Sequence, residues 1–209
     1  MEITPLQVWN NIWIKTNNHS SVTDKIWVEI QQAYSSKGRY YHNMEHIAQI
    51  LKAIDDNRDK LGDIETLQLA TFFHDFVYSS KRNDNEEQSA AMALKKLKYL
   101  NYPEDKIKQC ELYILATKNH INNTEFSDLD YFLDADLEKL GAPWPEYLEY
   151  TLQIRKEYRI YPDLIYIPGR RKVLQHFLNQ EKIYKTKAFY LLFETAARTN
   201  LSKELEILK

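Results

Sequence analysis

The chain has 209 residues, enough to enclose a sizeable core and within the range where one domain is the default expectation. Lys plus Arg number 28 against 30 Asp plus Glu, a net charge of -2, which excludes a broad field for nucleic-acid polymers or anionic membranes and leaves any phosphate chemistry to local charge. The lone cysteine, Cys110, excludes an internal disulfide, and its neighbours Lys108, Gln109 and Glu111 point to a buried structural thiol rather than a nucleophile or zinc ligand.

The opening segment, MEITPLQVWNN, has no basic stretch followed by an apolar run, and nothing approaches the roughly 20 apolar residues of a membrane span. The expected compartment is the cytoplasm, without membrane attachment. Four glycines and six prolines punctuate a sequence whose apolar residues recur every three or four positions, so the expected fold class is all-α.

Leu6, Trp9 and Trp13 share one side of 5–15, and Ile26, Ile30 and Tyr34 one side of 24–34. Helices are also predicted over about 42–56, carrying Ile47, Ile50, Leu51 and Ile54, and over 64–78, carrying Leu67, Ala70, Thr71, His74 and Tyr78. Asn85 with Gln88 three residues on resembles a capping box, with Glu86 and Glu87 in the first turn of a helix running to about Leu100. Pro103 fits a first-turn proline, and Pro145 after Trp144 opens a helix to Tyr158. Further helices are predicted over 169–179 and 186–208. No repeat, linker or low-complexity tract marks a second domain, so residues 1–209 are expected to form a single-domain helical bundle, with a core over about 39–141 and helices over 144–208 packing on it.

A His-Asp dipeptide carries little by itself, because about 0.4 such pairs arise by chance in a chain of this composition. The surroundings carry more. In RYYHNMEHIAQIL (39–51), His42 and His46 are four apart, the spacing of one helical face. In ATFFHDFVY (70–78), Asp75 sits among Phe72, Phe73, Phe76 and Val77, where a carboxylate needs a partner and a cation is an effective one. In YFLDADLEKLG (131–141), Asp134 and Asp136 lie between Leu133, Leu137 and Leu140.

The order and context of these segments resemble the HD superfamily of metal-dependent phosphohydrolases, whose ligands run His, then His-Asp, then a distant Asp. YHNMEH, HDFVY, NEEQSA, TKNH, LDADLEKLG, IRKEY and ARTNL together are similar to an uncharacterised branch of predicted HD phosphohydrolases, over roughly residues 39–205. The resemblance implies a bundle of the HD-domain type and a metal site of His42, His74, Asp75 and Asp136, with Asp134 as the competing choice for the last ligand. One departure stands out: some HD nucleotidases place a glutamate one turn after the His-Asp pair, where this chain has Tyr78.

Mixed nitrogen and oxygen donors suit Mn, Fe, Co, Ni or Zn, with Mg less favoured by the histidines. Such a cation makes a bound water more acidic and stabilises charge on phosphoryl oxygens, with Asp75 central to that chemistry. His46 and His120 are candidates for a second metal or for proton donation, against a structural role for each. Glu86 is a candidate for orienting water or contacting substrate, against a plain helix-dipole role. Arg39, Lys118, Arg155 and Arg170 are the cations considered for the substrate phosphate. Arg198 and Asn200 are expected to tie down the final helix rather than reach the site. The expected activity is hydrolysis of a phosphate ester of a small metabolite, nucleotides being the subclass favoured by resemblance alone, with a homodimer left open. The competing reading is a non-catalytic module that binds metal and nucleotide as a sensor.

Overall fold

Thr66 through Phe73 are buried without exception, which makes the helix that carries them one enclosed on every side by others. The computed structural model describes residues 4–15 and 20–209; the first three residues of the N-terminal segment read above lie outside the described residues. Among the described residues there are ten α-helices and no strand, as the hydrophobic periodicity predicts. They are α1 (Pro5–Lys15), α2 (Ser21–Tyr34), α3 (Met44–Asp56), α4 (Ile64–Phe73), α5 (Asn85–Tyr99), α6 (Glu104–Ala116), α7 (Ser127–Asp136), α8 (Trp144–Glu157), α9 (Asp163–Asn179) and α10 (Lys187–Ile207). Within those residues no helix is long and apolar enough to cross a membrane. The chain divides into two compact units, one ending at Leu133 and one covering Asp134–Lys209, with the division falling inside α7.

In the first unit α4 is the central element. Trp9 packs edge-on against Phe72 with ring centroids 5.4 Å apart, and its indole N–H donates to the Thr23 carbonyl at 3.1 Å, so one large side chain ties α1 to α4 and α2. Asp63 caps α4 by accepting from the Thr66 amide at 3.2 Å, and Lys106 on α6 donates to its other oxygen at 2.6 Å. Asp128, near the start of α7, accepts from the amides of Gly62 and Asp63, the latter at 2.7 Å, which fixes α7 against the entry to α4.

Three local expectations are corrected here. The predicted helix over 64–78 stops at Phe73. The Thr71 carbonyl, which would accept the next helical amide, instead accepts from His74 Nδ1 at 2.9 Å, and the Asp75 amide turns to the Tyr34 hydroxyl at 3.2 Å. His42 is not on the face of α3 with His46, because Asn43 is the N-cap: its side chain accepts from the amides of Glu45 and His46. The capping box at Asn85 does not form. Asp84 is the N-cap residue, while the Asn85 carboxamide pairs with the backbone of Ser79 at 3.0 Å in both directions.

In the second unit, carboxylates and amides hold backbone in place. Asp134 is fully buried and accepts from the amides of Lys185 and Thr186, at 2.8 and 2.7 Å, just ahead of α10. Arg198 donates to the carbonyls of Leu178, Gln180 and Glu181, and Asn200 donates to those of Leu140 and Ala142 at 2.9 and 2.8 Å. Both side chains thus tie the final helix to neighbouring backbone. Helix α9 begins at Asp163 rather than at the predicted Gly169, with Pro168 inside it. In the second turn of α9 this proline leaves the Leu164 carbonyl without a helical partner, at a residue that is exposed to water.

Candidate metal site

The break at the end of α4 creates the site. A carbonyl only accepts, so the 2.9 Å contact between His74 Nδ1 and Thr71 O places the imidazole proton on Nδ1. A neutral His74 therefore turns a lone pair outward from Nε2. Facing that atom are His46 Nε2 at 3.3 Å and Asp75 Oδ2 at 3.1 Å. His46 is 3 % and His74 2 % exposed, so these groups meet out of bulk water.

Asp136 ends α7, whose Leu129, Phe132 and Leu133 are buried in the first unit, with the Phe132 ring edge-on to His74 at 5.9 Å. One ligand atom from each of His46, His74 and Asp136 falls within 4.8 Å of the others, and such a group could hold a metal ion. Acceptors converging on one point repel unless a proton or a cation lies among them. Separations of 3.1 and 3.3 Å suit a cation, because two donors each about 2.1 Å from one ion stand about 3.0 Å apart at a right angle and about 3.4 Å at the tetrahedral angle.

The remaining candidates distribute around this centre. His42, expected as the first ligand, stacks on Tyr78 at 4.2 Å and meets His46 edge-on at 5.9 Å, while His46 supplies the atom grouped with His74 and Asp136. The reason is the helix start: His46 is in the first turn of α3 and turned inward, whereas His42 precedes the cap. Asp134, the competitor of Asp136, is committed to two backbone amides, and burial raises its carboxyl above the ordinary range despite them.

Glu86 stands in the first turn of α5, which is laced to the segment after Asp75 through Asn85 with Ser79 and Ser89 with Val77. Burial, with the negative charge of Asp75, raises the Glu86 carboxyl above its usual value. Lys118 pairs with Glu87 and donates to the Asn83 carbonyl at 2.9 Å. His120 follows α6 in the left-handed region, at φ 50°.

Arg39 is spent on backbone, donating to the carbonyls of His42 and Phe76. Arg155 holds the carbonyls of Tyr158 and Tyr161 and the carboxylate of Asp163. Arg170 is buried in a bidentate pair with Glu204, at 2.7 and 2.9 Å. Burial works against that charge, but Tyr150, Glu204 and Tyr147 hold its pKa well above the ordinary arginine value. Composition alone cannot say which partner a cation will find, so these pairings were invisible in the sequence. Thr71 and Tyr34 are the site residues that sequence reasoning missed. Thr71 had a signal, since it lies one helical turn before His74; Tyr34 had none.

A cleft of about 880 Å³ also opens in the first unit, lined by Glu45, Ala48 and Lys52 of α3 together with α1 and the start of α4. It presents the other side of α3 and includes none of the histidines. Comparisons with protein-family models, curated proteins and solved structures find no match for the chain.

Proposed function

We propose that this chain is a metal-dependent phosphohydrolase of the HD type, acting on a phosphate ester of a small metabolite, with nucleotides the favoured subclass. The observation that carries the reading is His74: its Nδ1 is tied to a carbonyl, and its Nε2 faces two further ligand atoms at 3.1 and 3.3 Å. A carbonyl behind a histidine that orients it toward a cation is the usual second partner of a metal-binding imidazole. His46, His74, Asp75 and Asp136 would hold the ion, with His42 beside them. When bound, a divalent ion supplies Lewis acidity toward phosphoryl oxygen and makes water a better nucleophile near neutral pH.

The chain's own groups account for the rest. Two aspartates balance a divalent charge and leave the site near neutral, so a phosphate anion can approach. Glu86, in the first turn of α5, is the group we assign to orienting water or contacting the substrate, and His46 and His120 are the candidates for protonating the leaving oxygen. The HD assignment and the substrate class rest on the resemblance of YHNMEH, HDFVY and LDADLEKLG, and the reaction class rests on the metal site.

The experiment is a panel of phosphomonoesters, phosphodiesters and nucleotides, assayed for phosphate release with Mn, Co, Ni, Zn or Mg. Turnover by the wild type and its loss in His74→Ala are expected. Metal occupancy without turnover on any member would replace the hydrolase with a binding module, and identical traces for wild type and His74→Ala would remove the site from the reaction.

A further inference from the structure

His46 and His74 come from different helices, and their 3.3 Å separation depends on how the start of α3 meets the end of α4. Packing is apolar behind them, from Ile47, Ile50 and Phe73. Arg39 makes a polar tie across that junction, donating through one terminal nitrogen to the His42 carbonyl at 3.1 Å and through the other to the Phe76 carbonyl at 3.0 Å. The first carbonyl immediately precedes the cap of α3, and the second lies two residues beyond His74. A planar fork with two charge-assisted bonds sets both spacing and angle, which a flexible ammonium does not.

The fork is itself held. Its central carbon lies 4.9 Å from the centroid of the Tyr34 ring and 5.4 Å from that of Tyr78, whose ring also stacks on His42. Tyr34 contributes a second time, since its hydroxyl accepts from the Asp75 amide at 3.2 Å and so secures the residue whose carboxylate faces His74. One tyrosine thus supports both the arginine and the turn that the arginine grips.

We infer that Arg39 and Tyr34 are positioning residues which fix the His42–His46 segment against the His74–Phe76 turn and thereby set the affinity and coordination geometry of the metal site. The inference rests on the metal-binding reading above. It assigns Arg39 to the scaffold of the site rather than to substrate phosphate.

The test uses the full chain as wild type, Arg39→Met, Arg39→Lys and Tyr34→Phe, titrated with Co²⁺ and read by the visible absorption of the bound ion and by competition with a chelator. Arg198→Met serves as a control in the second unit, since it breaks three carbonyl contacts far along the chain from these segments. Arg39→Met is expected to weaken Co²⁺ binding by about 10- to 100-fold, the range for residues that support metal ligands from behind, and to change the absorption bands. Arg39→Lys should recover part of the loss because it reaches a single carbonyl. Tyr34→Phe should move the bands in the same direction by less, because the ring under the guanidinium is retained. The control should match the wild type in both readouts.

Wild-type protein that binds no Co²⁺ would overturn the metal site itself and this inference with it. A binding wild type whose folded variants keep its affinity and spectrum would overturn the positioning role alone. Should Arg39→Met fail to fold by circular dichroism, Tyr34→Phe and Arg39→Lys decide the matter on the same two readouts.

Discussion

Replacing His46 with alanine removes one of the two imidazole nitrogens that face each other at 3.3 Å, and its effect on metal-induced stabilisation can be worked out in advance. At a metal concentration 100 times Kd, the wild type gains about 2.7 kcal/mol. In a chain of this size each kcal/mol moves Tm by about 2–4 °C, so the metal increment should be about 5–11 °C. Loss of a direct donor weakens binding by about 100-fold, taking the top of the range of about 10- to 100-fold for supporting residues. The same metal concentration then equals Kd for the variant, the gain falls to about 0.4 kcal/mol, and the increment to about 1–2 °C. Because His46 is almost fully buried, the variant is also less stable without metal. That loss cancels when each protein is compared with itself in chelator and in excess metal. Calorimetry with Mn or Zn is the assay, read on the transition of the first unit. A wild type with no increment, or a His46→Ala protein that keeps the full one, would refute the convergence of donors on a cation.

Asp63→Asn should destabilise the first unit by about 0.3–1 kcal/mol at neutral pH, through loss of the charge that faces the start of α4 and Lys106 while a capping oxygen is kept, as measured by urea unfolding. Although burial opposes it, the bonds from Lys106 and Thr66 lower the Asp63 carboxyl below its ordinary value. Its contribution is therefore complete above the unfolded value of about 3.9 and fades as pH falls through the folded one, so wild type and variant should converge in acid. Gly141→Ala would place a methyl 2.5 Å from Phe193 Cβ and should cost the second unit about 1–3 kcal/mol by overpacking, seen as a lower Tm. Cys110 is fully buried and burial pushes its thiol far up, so an aromatic disulfide reagent should react with it only after denaturant is added; rapid labelling of native protein would contradict its placement in the core.

Helical periodicity rests on local spacing, and residues 5–15, 24–34 and 186–208 could be read correctly because their apolar faces recur without interruption. The pattern failed where long-range partners compete with the helix. Apolar periodicity continues through Tyr78, yet the backbone leaves the helix after Phe73 because the Thr71 carbonyl is claimed by a side chain and the Asp75 amide by a tyrosine 41 positions earlier. Asn85 and Gln88 have the spacing of a capping box, but Ser79 offers the Asn85 carboxamide a better pair of partners.

The chemistry followed the same division. That histidines and aspartates embedded in apolar runs need a common use is a matter of desolvation, and residue types and their neighbours suffice to state it. Which of them converge depends on the direction each side chain takes once helices pack. His46 meets His74 because the cap at Asn43 places it in the first turn of α3, and Asp136 joins the two histidines while Asp134 caps the approach to α10. Sequence alone determined that this is a helical protein with a metal-capable set of donors. Tertiary packing decided which atoms meet, and it turned the arginines expected for phosphate to backbone carbonyls and a buried carboxylate, because a charge drawn out of water needs acceptors close by.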